Sequence, residues 1–447
     1  MQETRFLIVG GGITGLAFAA QLEQADYLIC EAEAELGGYC RSVIRDGFVW
    51  DYSGHFFHFR KPEIERELVG RIGPERVRRI QRDARIYYAG GLIDFPFQRN
   101  IDQLPHAEFV ECLRDLFQRP EAPPQNFREM LYAKFGRGIS EKFLVPYNEK
   151  LYATDLGRLD VDAMGRFFPH AEAEEIVRGL GSRAERAATY NATFTYPEGG
   201  ATEYVHALAH GLSSDRILLG ERVLGIDLER KLCRTEKRSI HFEYLLSSVP
   251  FPLLLELCGI EFDARVYSHN QVLVFNLGFD AKGASGIHWV YYPERDLSFY
   301  RVGYYDNIFG TSRMSLYVEL GYPSQVRLDG EQIRAARARV LEDLRRVGVI
   351  QDQQLVAEHH VVLDPAYVHI TQASLASVAE HKALLALRGV FSAGRYGSWT
   401  YCSIEDNIIE ARALAARFNA LGRHGRAATP GAPPAPPQAE NPRPASR

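Results

Sequence analysis

The sequence predicts an α/β fold in which an N-terminal βαβ unit carries a mostly helical insertion and an antiparallel β-sheet domain with a covering helix. Three observations predict it. From Arg5 a strand, a glycine turn, a helix and a second strand follow one another within about 30 residues. Apolar residues recur at helical spacing between Pro105 and Leu180, and strand-like runs alternate between Val266 and Val362.

With 447 residues, 46% of them hydrophobic, the chain can bury ample core over about two to three domains. Its 52 basic and 57 acidic residues leave a net charge of −5. That balance gives no global attraction to nucleic acid or to an anionic membrane, so partners must be argued from sites. An oligomer is compatible with the sequence. Cys30, Cys40, Cys112, Cys233, Cys258 and Cys402 show no C-x-x-C spacing, which predicts reduced thiols in a cytoplasmic protein and no bound metal. No stretch approaches the roughly 18 uninterrupted apolar residues of a membrane helix.

Taken in order, FLIV, GGGITG, LAFAAQLEQ and YLICEAE form the first unit, so the apolar run Phe6 to Leu22 reads as strand, turn and helix, not as a signal peptide. FVECLRDLF and FREMLYAKFG mark the helical insertion. RILLGERVLGIDLE and LCRTEKRSIHFEYLLSSV read as strands returning to the first sheet. QVLVFNLGF, IHWVYYP and SLYVEL, with a helix from Gln332 to Val347, make the antiparallel domain. GVFSAGRYG and the helix after Glu405 close the first domain. The expected domains are 1–95 with 190–260 and 385–420, then 100–188, then 262–384. The proline- and alanine-rich tail at 422–447 is expected to be disordered, since it has too little apolar surface to order itself.

Gly10-x-Gly12-x-x-Gly15 follows a strand and opens a helix. The first glycine permits the tight turn, the second lets backbone approach a pyrophosphate, and the third lets helix and strand pack closely. The pyrophosphate meets the free N–H groups at the helix N-terminus. Glu31, 21 residues after Gly10 at the end of the second strand, can accept hydrogen bonds from ribose hydroxyls. Gly394-Arg395, with Asp406 and Asn407 at a helix start, places a second helix N-terminus near the cofactor, although an ordinary strand–helix connection would look the same.

The extension Gly37-Gly38-x-x-Arg41-Ser42 resembles that of FAD proteins of the glutathione-reductase type, which implies a Rossmann-like FAD-binding domain. Further motifs resemble the UDP-galactopyranose mutase family, its eukaryotic type in particular. Trp50-Asp51-Tyr52-Ser53-Gly54-His55 is similar to the family's histidine loop beside the flavin. Phe95-Pro96-Phe97-Gln98 is similar to its uracil-binding segment, and Pro146-Tyr147-Asn148-x-Lys150-x-Tyr152 to a further part of the nucleotide site. Asn191-Ala192-Thr193-Phe194 matches near the sugar or diphosphate, with Gly199-Gly200 following. Gly394-Arg395-Tyr396-Gly397-Ser398-Trp399-x-Tyr401 resembles the family's diphosphate-binding sequence. Two positions depart from the pattern: Tyr152 stands where tryptophan is usual, and Gly165-Arg166-Phe167 has its arginine one residue early on an expected helix.

The resemblance implies a nucleotide-sugar mutase that interconverts pyranose and furanose forms of an NDP-sugar through an N5 adduct of reduced FAD, with NAD(P)H as a donor in the eukaryotic type. Arg301 and Arg395 would stabilise the departing diphosphate, which needs multi-donor cations. Tyr401 and Asn191 would assist them, and His55 would tune the flavin. Phe95, Phe97, Gln98, Asn148 and Tyr152 would hold the nucleoside. Gly38, Arg41, Gly54, His55, Val223, Gly394, Asp406 and Asn407 would complete the FAD contacts. On the residues alone, His55 could equally be a hydrogen-bonded core histidine, the Phe95 segment a core strand, and Arg301 a salt-bridge partner. The FAD frame also suits an oxidase of the amine-oxidase or protoporphyrinogen-oxidase type, in which Phe95, Phe97, Tyr152 and Trp399 would line a tunnel. A non-catalytic FAD-binding protein is the third reading.

Overall fold

In the computed structural model residues 2–23, 26–169, 171–181 and 192–423 are described. Asn191 and the tail from residue 424 lie outside them.

The strand Gln2–Val9 lies in the middle of the first sheet because its inner half, Phe6 to Val9, is apolar on both faces and buried. It pairs in parallel with Tyr27–Cys30 on one side and with Ser239–Ser247 on the other. Ser239–Ser247 also pairs in parallel with Val390–Ser392, while the antiparallel strands Leu232–Thr235 and Val223–Asp227 extend the sheet beyond it. Helix Ile13–Gln21 is apolar on nearly every side, with its first seven residues buried, because the sheet covers one face and helix Ile404–Arg423 another. Phe418 meets Phe6 and Phe18 edge-on at 5.2 and 6.1 Å.

The second sheet runs in the order Leu355–Leu363, Asn270–Phe279, Ser315–Pro323, Arg301–Tyr304, Trp289–Tyr291, Ala84–Tyr88, Gly91–Asp94. Neighbours are antiparallel except Trp289–Tyr291 with Ala84–Tyr88, which are parallel. Asn270–Phe279 is buried along its whole length. Helix Gly330–Arg346 covers the sheet with Val340 and Leu344 and is capped by Asp329, whose carboxylate accepts from the N–H groups of Glu331 and Gln332. Strands Ala84–Tyr88 and Gly91–Asp94 correct the expected boundary at residue 95. Ala89 and Gly90, both at positive φ, make the hairpin a local event, but its sheet is chosen by pairing with Trp289–Tyr291, some 200 residues away.

Helices His106–Phe117, Phe127–Ile139, Val145–Tyr152 and Ala173–Gly179 build the insertion, and the chain runs from the second to the third through a π-helical turn at Ser140–Leu144. Gly138 lets the first two touch: a Cβ there would sit 2.9 Å from Cys112 Cα. All six cysteines are free thiols. Among the described residues no helix is long and apolar enough to cross a membrane.

Candidate functional site

Between the two sheets and the helical insertion lies a cleft of about 1540 Å³. That volume exceeds the span of a single small-molecule pocket, roughly 300–1,000 Å³, so the cleft has room for a cofactor and a second ligand end to end.

At one end the glycine turn is built as its spacing requires. Gly10 has φ +104°, and a Cβ on Gly15 would lie 2.1 Å from the Gly10 carbonyl oxygen, so helix and strand touch there. At Gly12 a Cβ would meet nothing closer than Gly38 Cα at 4.0 Å, which leaves this side open to the cleft. No side chain caps helix Ile13–Gln21, so its leading N–H groups remain for an anion. Glu31 accepts from the N–H of Gly11 at 2.7 Å and from the N–H of Glu33 at 2.9 Å. Its carboxylate is thereby held at the cleft wall with lone pairs to spare. Arg41 donates from Nε to the Gly38 carbonyl at 2.8 Å and lies over Tyr52. Val223 lines the same end.

The second helix terminus also reaches the cleft. Gly394, at φ +84°, packs so closely that a Cβ would lie 2.2 Å from Thr14 Oγ1. Asn407 Oδ1 accepts from the Arg395 N–H at 2.7 Å and from Thr14 Oγ1 at 3.2 Å. Asp406, expected to touch the cofactor, instead turns its carboxylate to Arg60 at 2.6 Å, to Arg166, and to the N–H and hydroxyl of Ser403. Two arginines and a helix cap consume it, and it is not part of the cleft wall. These cradles, open where backbone must approach a phosphate and closed where helix meets strand, fit a dinucleotide cofactor.

Midway along the cleft His55 is half-buried, and desolvation, with the Arg395 and Arg301 charges, pushes its imidazole down to about 4 despite the opposing carboxylate of Glu319. Its Nδ1 has no hydrogen-bond partner among the described residues, unlike the satisfied core histidine that is the commoner case. Gly54 before it is obligatory, since a Cβ would overlap Tyr317.

The two arginines differ. Arg301 donates from Nε and Nη2 to the two oxygens of Glu319, each at 2.7 Å, and Glu319 is fully buried. Of the two expected diphosphate cations, Arg301 fits the salt-bridge alternative: it lies directly across the strand pair from Glu319, and its charge is offset there. Arg395 has no carboxylate within ion-pairing range among the described residues. Its Nη2 donates to the Ala366 carbonyl at 3.2 Å, its Nε is buried with no acceptor, and its guanidinium lies 4.7, 5.1 and 5.9 Å from the ring centres of Tyr401, Tyr367 and Tyr396.

Beyond Arg395 the far end is aromatic. Phe95 lines it with Tyr147, Asn148 and Tyr291, and Tyr401 stacks on Tyr367 at 5.8 Å. Asn148 donates to the Leu144 carbonyl at 2.7 Å and keeps Oδ1 unpartnered. Phe97, Gln98 and Tyr152 are not in the wall. A 3₁₀ turn at Phe97–Arg99 swings Phe97 onto Phe143 and Gln98 onto the Pro169 carbonyl, while Tyr152 packs among Phe127, Tyr367 and His369. Gly165–Phe167 is likewise a 3₁₀ turn and not a helix. It sets both Arg166 and Phe167 into the wall, with Arg166 at 4.2 Å over the Phe167 ring. Arg82, Tyr291, Tyr300 and Tyr367 line the cleft without having been expected. No local pattern marks them, because Tyr291 lies in a strand and the other three in segments next to strands, and only the assembled fold brings them together.

A glycine turn left open at a helix N-terminus, a carboxylate held at the cleft wall and a second helix terminus make this an α/β protein whose cleft fits a dinucleotide cofactor. The chain belongs to the family described as flavin containing amine oxidoreductase, whose profile matches residues 13–418. It is a flavoprotein of the FAD-dependent oxidoreductase-like superfamily. Its fold is similar to that of a reduced UDP-galactopyranose mutase, with TM-score 0.84 and 22% identity over 94% of this chain and 96% of that one. It is also similar to an Exiguobacterium sp. 255-15 protein described as a protoporphyrinogen oxidase (0.73, 20%, 93% and 99%) and to cyclohexylamine oxidase from Brevibacterium oxydans IH-35A (0.65, 15%, 94% and 99%).

Proposed function

We propose that this chain is a flavin-dependent nucleotide-sugar mutase that interconverts pyranose and furanose forms of an NDP-sugar of the UDP-galactose kind. The observation that carries the reading is Arg395: a half-buried cation whose Nε is buried without an acceptor and which has no carboxylate partner among the described residues, at the junction between the cofactor end and the aromatic end of the cleft. An unpaired buried charge costs several kcal/mol, and an anionic ligand would offset that cost. A protonated amine, the natural form of an amine-oxidase substrate, would instead meet a like charge there.

Reduced FAD, when bound, would supply a nucleophilic ring nitrogen at the sugar's anomeric carbon. Arg395 would hold the diphosphate through Nε and Nη, taking up negative charge as it departs, and the Tyr401 hydroxyl would donate to the same oxygens. Arg301, neutralised by Glu319, would position without adding net charge. His55, neutral above about pH 4, would contribute a hydrogen bond and no charge at the cofactor's edge. Phe95, Tyr147 and Tyr291 would sandwich the base. Asn191 is proposed beside the sugar on the motif match alone, and NAD(P)H as the electron donor on the resemblance alone.

The same aromatic walls and the Arg395 guanidinium would also accept a flat, carboxylate-bearing oxidase substrate. Anaerobic reduction followed by incubation with UDP-galactopyranose and UDP-galactofuranose separates the two. Interconversion that requires reduced flavin is the expected result. Oxygen-dependent turnover of a carboxylated substrate, with no response of the reduced flavin to either sugar nucleotide, would replace this reading by the oxidase one.

A further inference from the structure

The strand Asn270–Phe279 begins with a fully buried asparagine whose hydrogen bonds run to two separate walls of the cleft. Asn270 Nδ2 donates to the Leu151 carbonyl at 2.6 Å, in the last turn of helix Val145–Tyr152. The carbonyls of such a turn have no partner within the helix. Asn270 Oδ1 accepts from the Tyr367 N–H at 2.7 Å. The Asn270 backbone adds two more bonds, donating to the Tyr367 carbonyl at 3.0 Å and accepting from the Ala366 N–H at 2.9 Å. Ala366 and Tyr367 form the seat of Arg395. The Ala366 carbonyl accepts from Arg395 Nη2 and, at 3.3 Å, from the Tyr396 hydroxyl, and the Tyr367 ring lies beneath the guanidinium. The helix end is also close against the sheet, since a Cβ on Gly321 would lie 2.2 Å from the Lys150 carbonyl oxygen.

We infer that Asn270 is a positioning residue that ties the helix carrying Tyr147 and Asn148 to the segment seating Arg395, so that the two walls of the substrate end respond as one unit. The functional meaning rests on the reading of Arg395 as an anion site; the linkage itself does not. The position calls for a side chain that donates in one direction and accepts in the other. Aspartate has the same shape but no donor, and it would set an oxygen against the Leu151 carbonyl.

Amide hydrogen exchange on the FAD-loaded full chain tests this, comparing the wild type with Asn270→Asp, each alone and with inorganic pyrophosphate. Asn270→Ser, which keeps a donor and an acceptor on a shorter side chain, is made alongside and stands in if the first variant does not fold. Without ligand, the variants are expected to exchange at least tenfold faster in both Tyr147–Tyr152 and Ala366–Tyr367, with Val390–Ser392 unchanged. Acceleration of only one of the two segments, or of all three together, overturns the linkage. In the wild type, pyrophosphate is expected to slow exchange at both the Arg395 turn and Val145–Tyr152. Slowing confined to the Arg395 turn also overturns it. Pyrophosphate without effect anywhere counts against the anion reading, and the ligand-free comparison then decides the linkage on its own.

Discussion

Arg301 and Glu319 face each other across two antiparallel strands and share two hydrogen bonds of 2.7 Å, with Glu319 sealed from solvent. Glu319 also accepts from the Ser53 hydroxyl at 2.5 Å, two residues before His55. Removing the carboxylate charge therefore strands a half-buried guanidinium beside a fully buried partner and loosens the loop that carries His55. Glu319→Gln is expected to lower unfolding stability by about 3 kcal/mol, the usual scale for breaking a buried pair. Chemical denaturation of the FAD-loaded protein would show it, and unchanged stability would mean that the pair is solvated.

The asymmetry between the two arginines predicts unequal roles in binding. Arg395→Met removes an unpaired charge together with its hydrogen bonds and should weaken UDP binding about 10- to 100-fold, since a charged hydrogen bond contributes roughly 1.5–3 kcal/mol. A paired substitution that removes both Arg301 and Glu319 should cost less than tenfold. Calorimetric titration of the reduced protein would decide. A larger loss from the double substitution than from Arg395→Met would mean that Arg301 carries the anion.

Two glycines to alanine separate cofactor geometry from helix propensity. At Gly15 the new Cβ would stand 2.1 Å from the Gly10 carbonyl oxygen, whereas at Gly70, inside helix Pro62–Ile72, it would meet nothing within 4 Å. Gly15→Ala is expected to yield protein with little or no FAD, because the phosphate turn must open to relieve the overlap. Gly70→Ala should gain about 0.5–1 kcal/mol. Flavin absorbance per chain and thermal unfolding would check both. A Gly15→Ala protein that keeps its FAD would show that the turn is not the cofactor's seat.

These contrasts also show what the sequence could and could not display. The geometry of Gly10, Gly15 and Glu31 is a local consequence of one turn and one strand, so spacing alone could mark it. Arg301 and Glu319 are 18 residues apart on neighbouring strands, and their pairing depends on register, which the sequence does not print. Phe95 and Phe97 looked equivalent in an aromatic segment until a single 3₁₀ turn sent one to the cleft and the other to the core. Tyr152 turned inward for a similar reason: helix Val145–Tyr152 ends at Ala153 in a left-handed conformation, and the last side chain falls on the buried face. Tyr367 and Arg82 carry no motif, and only the assembled sheets identify them.

Asp51 gives a pH dependence whose sign can be worked out. Burial pushes its carboxyl up to about 7, and the hydrogen bonds from Ser42, the Ala201 N–H and Tyr196 pull it only part of the way back. The unfolded chain releases this proton near 3.8, so between about 3.8 and 7 the folded state holds a proton that the unfolded state has lost. Stability from this group therefore falls as pH rises through that window and levels off above it. His55, His58 and His369 act the other way. Burial lowers each from 6.5 to about 4, the unfolded chain binds more protons between those values, and stability from them rises with pH up to about 6.5. The opposing slopes mask each other in the wild type but not in a difference measurement, since the histidines are common to both proteins. Asn stands in for the protonated acid, so the stability of Asp51→Asn relative to wild type should become more favourable from pH 5 to about pH 7 and level off toward pH 8. Urea titrations across that range would measure it. A difference that stays flat would mean that Asp51 ionises at an ordinary pH inside the fold and that its three hydrogen bonds outweigh its burial.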